Sequence, residues 1–334
     1  MPQHHAPDGD DGSEVTARGV TGGGDGAAAP TPLLIGAYAA LPAAEDRPGF
    51  YAGLREHLGA TGLEVPTQHL LAGEGGSIED LARLLEDRFP DSVLTAIPGT
   101  MQHVAADPSF GLASPDEDGR RAALAYTAGL LSAADAVNQR IGSAHVRRVQ
   151  IQSAPSGRAD ADAFPRSLAD LEVPEGIDLV IEHCDAANDR VAGEKRFLSL
   201  REELAAAREA GIGLTLNWGR SAVESHDPSV PQEQVAEAAA AGSLRGLIFS
   251  GAGGNATGFG APWADAHLPL DVDEPGSLLT AARVRECMAA AGDLEYVGVK
   301  VQAPSDADVS ARLGIIGHVV EAIRASGTGR VGTR

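Results

Sequence analysis

Asp178-Leu179-Val180-Ile181-Glu182-His183-Cys184-Asp185 is the stretch on which the fold of this chain turns. Three apolar residues without a polar interruption mark a strand buried on both faces, as in a parallel sheet covered by helices. The run then ends in groups able to ionise or to bind a metal. Parallel α/β proteins place their chemistry at the C-terminal ends of strands, so Glu182, His183 and Asp185 enter as candidate site residues.

The same strand-then-helix unit recurs on both sides of this stretch. Before it, strands are expected over Leu33–Tyr38, Gly62–Pro66, Asp91–Pro98 and Val146–Ser153, and after it over Gly211–Trp218, Leu244–Ser250 and Glu295–Gln302. Helical spacing or helix-start signals fall between them, over Arg47–Leu58, Ser77–Phe89, Asp116–Ile141, Phe164–Leu171, Ser199–Ala210, Pro231–Ala241, Gly276–Ala291 and Asp306–Ala325. Gly99 to Pro115 reads as a long loop, and Asn217-Trp218-Gly219-Arg220 as the turn after the sixth strand.

Eight strands, each followed by a helix, over about 295 residues is the pattern of a closed (β/α)8 TIM barrel, class α/β, formed by a single domain from 32 to 326. A doubly wound open sheet would carry a Gly-rich phosphate loop after its first strand, where this chain has Ala39-Ala40-Leu41-Pro42. Residues 1–31 are Gly, Asp, Ala and Pro with almost no large apolar side chain, the composition of a disordered tail, and 327–334 read as a flexible C-terminus.

The chain has 334 residues with 43% hydrophobic and 22% charged content, which is that of a globular protein, and no apolar run approaches the roughly 20 residues of a membrane span. A net charge of −21 argues against nucleic acid and anionic membranes as partners, and leaves a small-molecule substrate open. Two cysteines, Cys184 and Cys287, make no disulfide framework, and with no secretory signal in view the expected location is cytoplasmic.

The predicted strand ends form a strongly polar barrel mouth. They contribute Tyr38; Glu64, Gln68 and His69; Thr100 and His103; Gln150 and Gln152; Glu182; Asn217, Trp218 and Arg220; Ser250; and Lys300 and Gln302. Lys300 and Glu182 stand out because each interrupts or closes an apolar strand, where a charge must be paired or bind something. Glu182, Lys300, Glu64 and His183 are therefore the candidate catalytic groups. The substrate-binding candidates are Arg220, whose guanidinium can hold an anion in a fork, with Asn217, Trp218, Gln152, Ser250, Gln302, Trp263 and His267. Asp265-Ala266-His267, with Glu182, offers an oxygen and nitrogen set for Mn, Co, Mg or Zn.

Ile181-Glu182-His183-Cys184-Asp185, Asn217-Trp218-Gly219-Arg220-Ser221-Ala222 and Phe249-Ser250-Gly251-Ala252 resemble the uncharacterised bacterial DUF4862 family, within the xylose-isomerase-like TIM barrels. The resemblance runs from about Leu33 to Ile323. It implies a sugar isomerase or epimerase that moves a proton on a carbohydrate or polyol derivative, acting on a sugar-like small molecule and assembled as a homo-oligomer. The superfamily usually binds one divalent metal through a Glu of strand five, an Asp of strand six, a His of strand seven and a Glu of strand eight. Glu182 matches, but Asn217, Ser250 and Gln302 or Lys300 stand at the other three positions, so metal dependence is left open. The alternatives are a non-catalytic carbohydrate- or small-molecule-binding barrel with a degenerate metal site, and a metal-independent lyase.

Overall fold

The computed structural model describes residues 29–67, 70, 77–188, 191, 193–327 and 329–332. Most of the predicted tail, together with Gln68 and His69, lies outside the described residues. Eight parallel strands close in sequence order into a barrel. They are β1 (Leu33–Ile35), β2 (Gly62–Pro66), β3 (Ser92–Thr95), β4 (Val146–Ile151), β5 (Asp178–Glu182), β6 (Gly213–Asn217), β7 (Leu244–Phe249) and β8 (Tyr296–Val299). Among the described residues, ten α-helices surround them: α1 (Arg47–Glu56), α2 (Ile78–Leu85), α3 (Ile97–Ala106), α4 (Glu117–Ile141), α5 (Ala163–Ala169), α6 (Leu200–Ala210), α7 (Trp218–Ser225), α8 (Val230–Ala240), α9 (Ala281–Ala291) and α10 (Val309–Arg324). Among the described residues no helix is long and apolar enough to cross a membrane.

The period-two alternation of strand side chains sorts each strand into two faces. Leu33, Ile35, Leu63, Leu94, Val149, Ile151, Leu179, Ile181, Leu214, Leu216, Leu247, Phe249, Val297 and Val299 point outward and join the core under the helices. The inward positions start with a small apolar plug of Leu34, Val93, Ile248 and Tyr296. Arg148 lies over the Tyr296 ring at 4.6 Å and pairs with Glu295 at 2.9 Å, closing the N-terminal end of the barrel. Further along, at even spacings, the same inward faces carry Glu64, Thr95, Gln152, Glu182, Asn217, Ser250 and Lys300, all buried. The polar mouth thus follows from strand length and alternation alone.

Strands end earlier than the hydrophobic runs predict. Ile97 opens α3 inside the stretch read as the third strand, and the helix runs on to Ala106 through residues read as a loop, with Pro98 in its first turn where no backbone donor is needed. Trp218 opens α7, because the Asn217 side chain accepts from the backbone N–H groups of Gly219 at 3.0 Å and Arg220 at 3.4 Å. At the other end of the chain Val331 is buried, and Thr31 donates to the Arg330 carbonyl at 2.7 Å, so the packed body extends beyond the 32–326 span read from the sequence.

Gly36 shows how tightly the mouth is built. A Cβ there would lie 2.9 Å from both Cβ and Cγ of Lys300, the rigid base of that side chain. Gly36→Ala is expected to lower stability by about 1–3 kcal/mol through overpacking, read by denaturant unfolding. A neutral result would mean that Lys300 is not held against β1.

Candidate active site

Two buried charge clusters share the mouth. In the first, Lys300 Nζ donates to Glu64 Oε1 at 2.7 Å, and the Tyr38 hydroxyl donates to the same oxygen at 3.0 Å. Glu64 Oε2 is buried and has no hydrogen-bond partner. Burial and the neighbouring Glu64 and Glu182 carboxylates hold the Tyr38 phenol well above its ordinary range, with Arg220 opposing, so the hydroxyl stays a donor.

The second cluster centres on Arg220, which the first turn of α7 delivers across the barrel axis. Its Nη1 donates to Glu182 Oε1 at 2.5 Å and its Nε to Asp265 Oδ2 at 3.2 Å. The other Glu182 oxygen accepts from Thr95 Oγ1 and from Gln152 Nε2, both at 2.8 Å. Burial alone would raise the Glu182 pKa. The charges of Arg220 and Lys300, with the bonds from Thr95 and Gln152, outweigh it and hold the carboxyl below its usual range. Glu182 is thus a carboxylate with both oxygens engaged, which makes it a poor base.

Asp265 belongs to the long β7–α9 connection that covers the mouth. Lys195 Nζ reaches Asp265 Oδ2 at 2.9 Å, and His267 Nδ1 lies 3.1 Å from Oδ1. Burial opposes ionisation of Asp265, and His267, Arg220 and Lys195 together hold its pKa well below the ordinary value. His267 itself is pushed down, chiefly by burial, against the pull of Asp265. The connection is pinned on both sides: Gly251 and Leu268 exchange backbone hydrogen bonds at 2.8 and 2.9 Å, and Gln302 Nε2 donates to the Ala266 carbonyl at 2.6 Å. Trp263 and His267 both take left-handed backbone angles, φ 58° and 48°, and the Trp263 ring stacks on His226 at 4.3 Å.

Of the residues singled out in the sequence, Glu64, Lys300, Glu182, Arg220, Gln152, Asp265 and His267 are therefore brought to one place. Ser250 donates to Asn217 Oδ1 at 2.7 Å, the oxygen that also caps α7, while Asn217 Nδ2 is buried without a hydrogen-bond partner. Gln302 and Trp263 serve the covering segment. Trp218 turns out of the barrel into the core under the helices. His103, on α3, stacks on Phe110 at a centroid distance of 4.5 Å.

His183 also departs from the catalytic set. One residue past Glu182, it projects to the opposite face of β5, where Nδ1 meets Glu203 Oε2 at 2.6 Å and Nε2 meets Glu224 Oε2 at 3.0 Å. Asp185 stays beside the mouth but accepts from the backbone N–H groups of Lys195 at 2.8 Å and Arg196 at 3.1 Å, which makes it a loop anchor. Sequence reasoning missed Lys195 and Thr95. Lys195 sits in a charged Glu-Lys-Arg run (194–196) that looks like any exposed loop, yet it is 6% exposed.

The donor set does not fit a divalent ion as it stands. Glu182, Asp265 and His267 were the sequence's candidates, but the Arg220 guanidinium lies between the two carboxylates and uses an oxygen of each. Among the described residues no group of three or more His, Cys, Asp or Glu side chains is arranged to hold a metal. A positive side chain in the middle of the ligands repels an ion as well as blocking it.

Residues 34–315 match the sequence profile described as a domain of unknown function, DUF4862. The chain belongs to the DUF4862 family. An uncharacterized protein of Salmonella typhimurium is 33% identical to this DUF4862 chain over 300 residues, covering 86% of it and 94% of the relative. Among solved structures, the D-psicose 3-epimerase of Clostridium cellulolyticum with D-tagatose superposes with a TM-score of 0.52 at 14% identity, over 89% of this chain and 96% of that one. A sugar phosphate isomerase/epimerase from Parabacteroides distasonis gives 0.52 at 12% identity, over 87% and 96%. A xylose isomerase domain protein from Alicyclobacillus acidocaldarius gives 0.50 at 15%, over 90% and 100%. At these identities the likeness is one of fold: this DUF4862 protein shares a closed TIM barrel with these structures.

The His183 pair makes a pH prediction. Burial would lower its pKa, but Glu203 and Glu224 together push it up to about 10 from 6.5. A histidine raised in this way contributes stability that is fully present below pH 6.5 and is lost as pH rises through about 10. His183→Gln is expected to cost about 3–5 kcal/mol near pH 6, with the gap to wild type shrinking toward alkaline pH in urea unfolding. A gap independent of pH would show that His183 is buried uncharged.

Proposed function

We propose that this protein is an isomerase or epimerase that moves a proton between carbon atoms of a sugar or sugar-like polyol, with Glu64 as the base. The observation that carries this reading is Glu64 Oε2, a buried carboxylate oxygen without a partner, on a side chain held by Lys300. In this reading a substrate enters when the β7–α9 connection lifts, since Glu182 and Lys300 are fully buried with the segment in place. Glu64 Oε2 takes the proton from a carbon next to a carbonyl. The C–H electron pair moves to form the enolate, whose oxygen is stabilised by the fixed charges of Lys300 and Arg220. Return of the proton to the neighbouring carbon, with the hydroxyl proton passing from the new carbonyl oxygen to the old one, gives isomerisation; epimerisation requires that the same carbon take its proton from water on the opposite face while Glu64 keeps the one it removed.

Glu182 then positions Arg220 and does not itself act as base, because both its oxygens already accept hydrogen bonds. The sugar class is supported by the fold shared with D-psicose 3-epimerase and a sugar phosphate isomerase/epimerase. A barrel that binds a ligand without turning it over is the second reading. It is favoured by the complete mutual pairing of Glu182, Arg220 and Asp265, which looks the same in a purely structural network.

Deuterium wash-in separates the two. Incubation with a panel of ketoses, aldoses and their phosphates in D2O, followed by proton NMR, is expected to show loss of one carbon-bound proton for at least one sugar. Glu64→Gln should slow that exchange by about 10²–10⁴-fold while leaving the unfolding transition cooperative. Sugar-dependent thermal stabilisation with no exchange in wild type would overturn the enzyme reading in favour of the binding barrel.

A further inference from the structure

The chain carries 26 lysine and arginine side chains, and Lys195 and Lys300 are the only lysines among them. Both are buried in the mouth, at 6% and 0% exposure, while arginine supplies all the others. An arginine is a permanent charge; a lysine can also give up its proton and become a nucleophile. Lys195 is committed as a cation, because its Nζ meets Glu194 Oε2 at 2.7 Å and Asp265 Oδ2 at 2.9 Å, and Asp265 is held well below the usual carboxylate range. Lys300 Nζ has a different setting. It lies 2.7 Å from Glu64 Oε1, on a carboxylate whose second oxygen has no partner, and 5.4 Å from the centroid of the Tyr38 ring. Tyr38 donates its hydroxyl to the same Glu64 oxygen at 3.0 Å. The stem of Lys300 is confined by β1, since a Cβ on Gly36 would lie 2.9 Å from it. A fixed amine, a carboxylate able to take its proton and a phenol able to relay one therefore meet at a single oxygen.

We propose that Lys300 is a covalent group, which condenses with the carbonyl carbon of a hydroxy-aldehyde or hydroxy-ketone to give an iminium. The inference rests on the proton-transfer reading for its substrate class and deepens it by replacing the enolate with an enamine. The Lys300 ammonium passes a proton to Glu64, and its nitrogen lone pair bonds to the carbonyl carbon as the C=O π pair moves to oxygen. That oxygen takes a second proton from the nitrogen and the proton held by Glu64, with the Tyr38 hydroxyl as relay. The C–O bond then breaks, water leaves, and the nitrogen lone pair forms C=N. Ammonium and carbonyl have become iminium and water with no change in charge, and Glu64 is a carboxylate again. Glu64 now takes the proton of the adjacent carbon; the C–H pair forms a C=C bond and the C=N pair retires to nitrogen. The result is a neutral enamine beside a neutral Glu64, which a water-poor site tolerates better than a new oxyanion. Nitrogen stays on the carbon that carried the carbonyl, so the carbonyl cannot migrate. The route therefore serves epimerisation and not isomerisation. The adjacent carbon is protonated by water from the opposite face, Glu64 returns its proton to that water, and hydrolysis of the iminium restores Lys300.

The test incubates the full-length protein with glycolaldehyde or dihydroxyacetone, the smallest hydroxy-aldehyde and hydroxy-ketone, and cyanoborohydride, which reduces an iminium to a stable amine. Intact mass and peptide mapping then locate the adduct. One adduct per chain on Lys300 is expected, formed ahead of any on Lys195, although accessibility alone favours Lys195. No adduct on Lys300 with either probe, or label confined to Lys195 and the N-terminal amine, overturns the proposal. Lys300→Arg keeps the charge but cannot condense, so it should lose the adduct together with the deuterium exchange. Exchange at the wild-type rate in Lys300→Arg overturns the covalent role, and if that variant does not fold, the wild-type peptide map decides alone. The two readings fail separately. A Lys300 adduct without deuterium exchange for any sugar supports the covalent lysine and sinks the proton-transfer reading. Exchange without an adduct overturns the covalent lysine and leaves the enolate route standing.

Discussion

The mouth of this barrel is governed by one constraint: charges taken out of water must be compensated within a few ångströms. Glu64, Glu182 and Asp265 are answered by Lys300, Arg220 and Lys195. Each pair joins elements far apart in sequence. Lys300, just past β8, meets Glu64 on β2 across β1, and Lys195 before α6 meets Asp265 in the connection after β7. Desolvation consumes most of what such pairs gain by Coulomb attraction, so their net stabilisation is small, while the loss of one member is expensive. They therefore act less as glue than as a rule about which arrangements are allowed. The covering segment has one acceptable resting place, with Asp265 between Arg220 and Lys195.

That rule explains why the two mouth glutamates differ in chemistry although both are buried carboxylates next to a cation. Glu182 receives three donors spread over two oxygens, whereas Glu64 receives two donors on one oxygen and keeps the other bare. An oxygen that already accepts good hydrogen bonds resists a proton, and a bare one in a closed site welcomes either a proton or a substrate hydroxyl. Residue type and inward orientation are the same for both. The difference lies in partners that come from other strands.

The legible and illegible parts of the molecule divide along the same line. Barrel topology could be read from the repeat of apolar runs and helix periods, and the inward placement of Glu64, Glu182 and Lys300 from alternation alone, because both are local properties of the chain. Partner choice is not local. The sequence alone leaves open which glutamate Lys300 meets, and the closure of the barrel sets it against Glu64. Lys195 carries no signal in its own neighbourhood, since a Glu-Lys-Arg run is buried only because Asp185 gathers its backbone and Asp265 arrives from 70 residues away. Trp218 misled for a different reason. Asn217 caps a helix there, and a helix start turns the next side chain away from the axis that a loop would have let it face.

His183 and Glu182 show how neighbouring residues divide their labour across a strand end. Glu182 faces inward and takes hold of Arg220 on the first turn of α7; His183 faces outward and takes hold of Glu224 on the last turn of the same helix. Glu224 also accepts from the Ala186 amide at 3.0 Å, just past Asp185, whose carboxylate gathers the loop that carries Lys195. The end of β5 thus holds α7 at both of its ends and anchors the segment whose lysine answers Asp265. Any substitution that shifts α7 moves the guanidinium relative to both carboxylates, even when it lies outside the barrel. The outward half of the stretch is in that sense part of the site's support: it fixes the frame in which a single buried arginine can satisfy two acids at once.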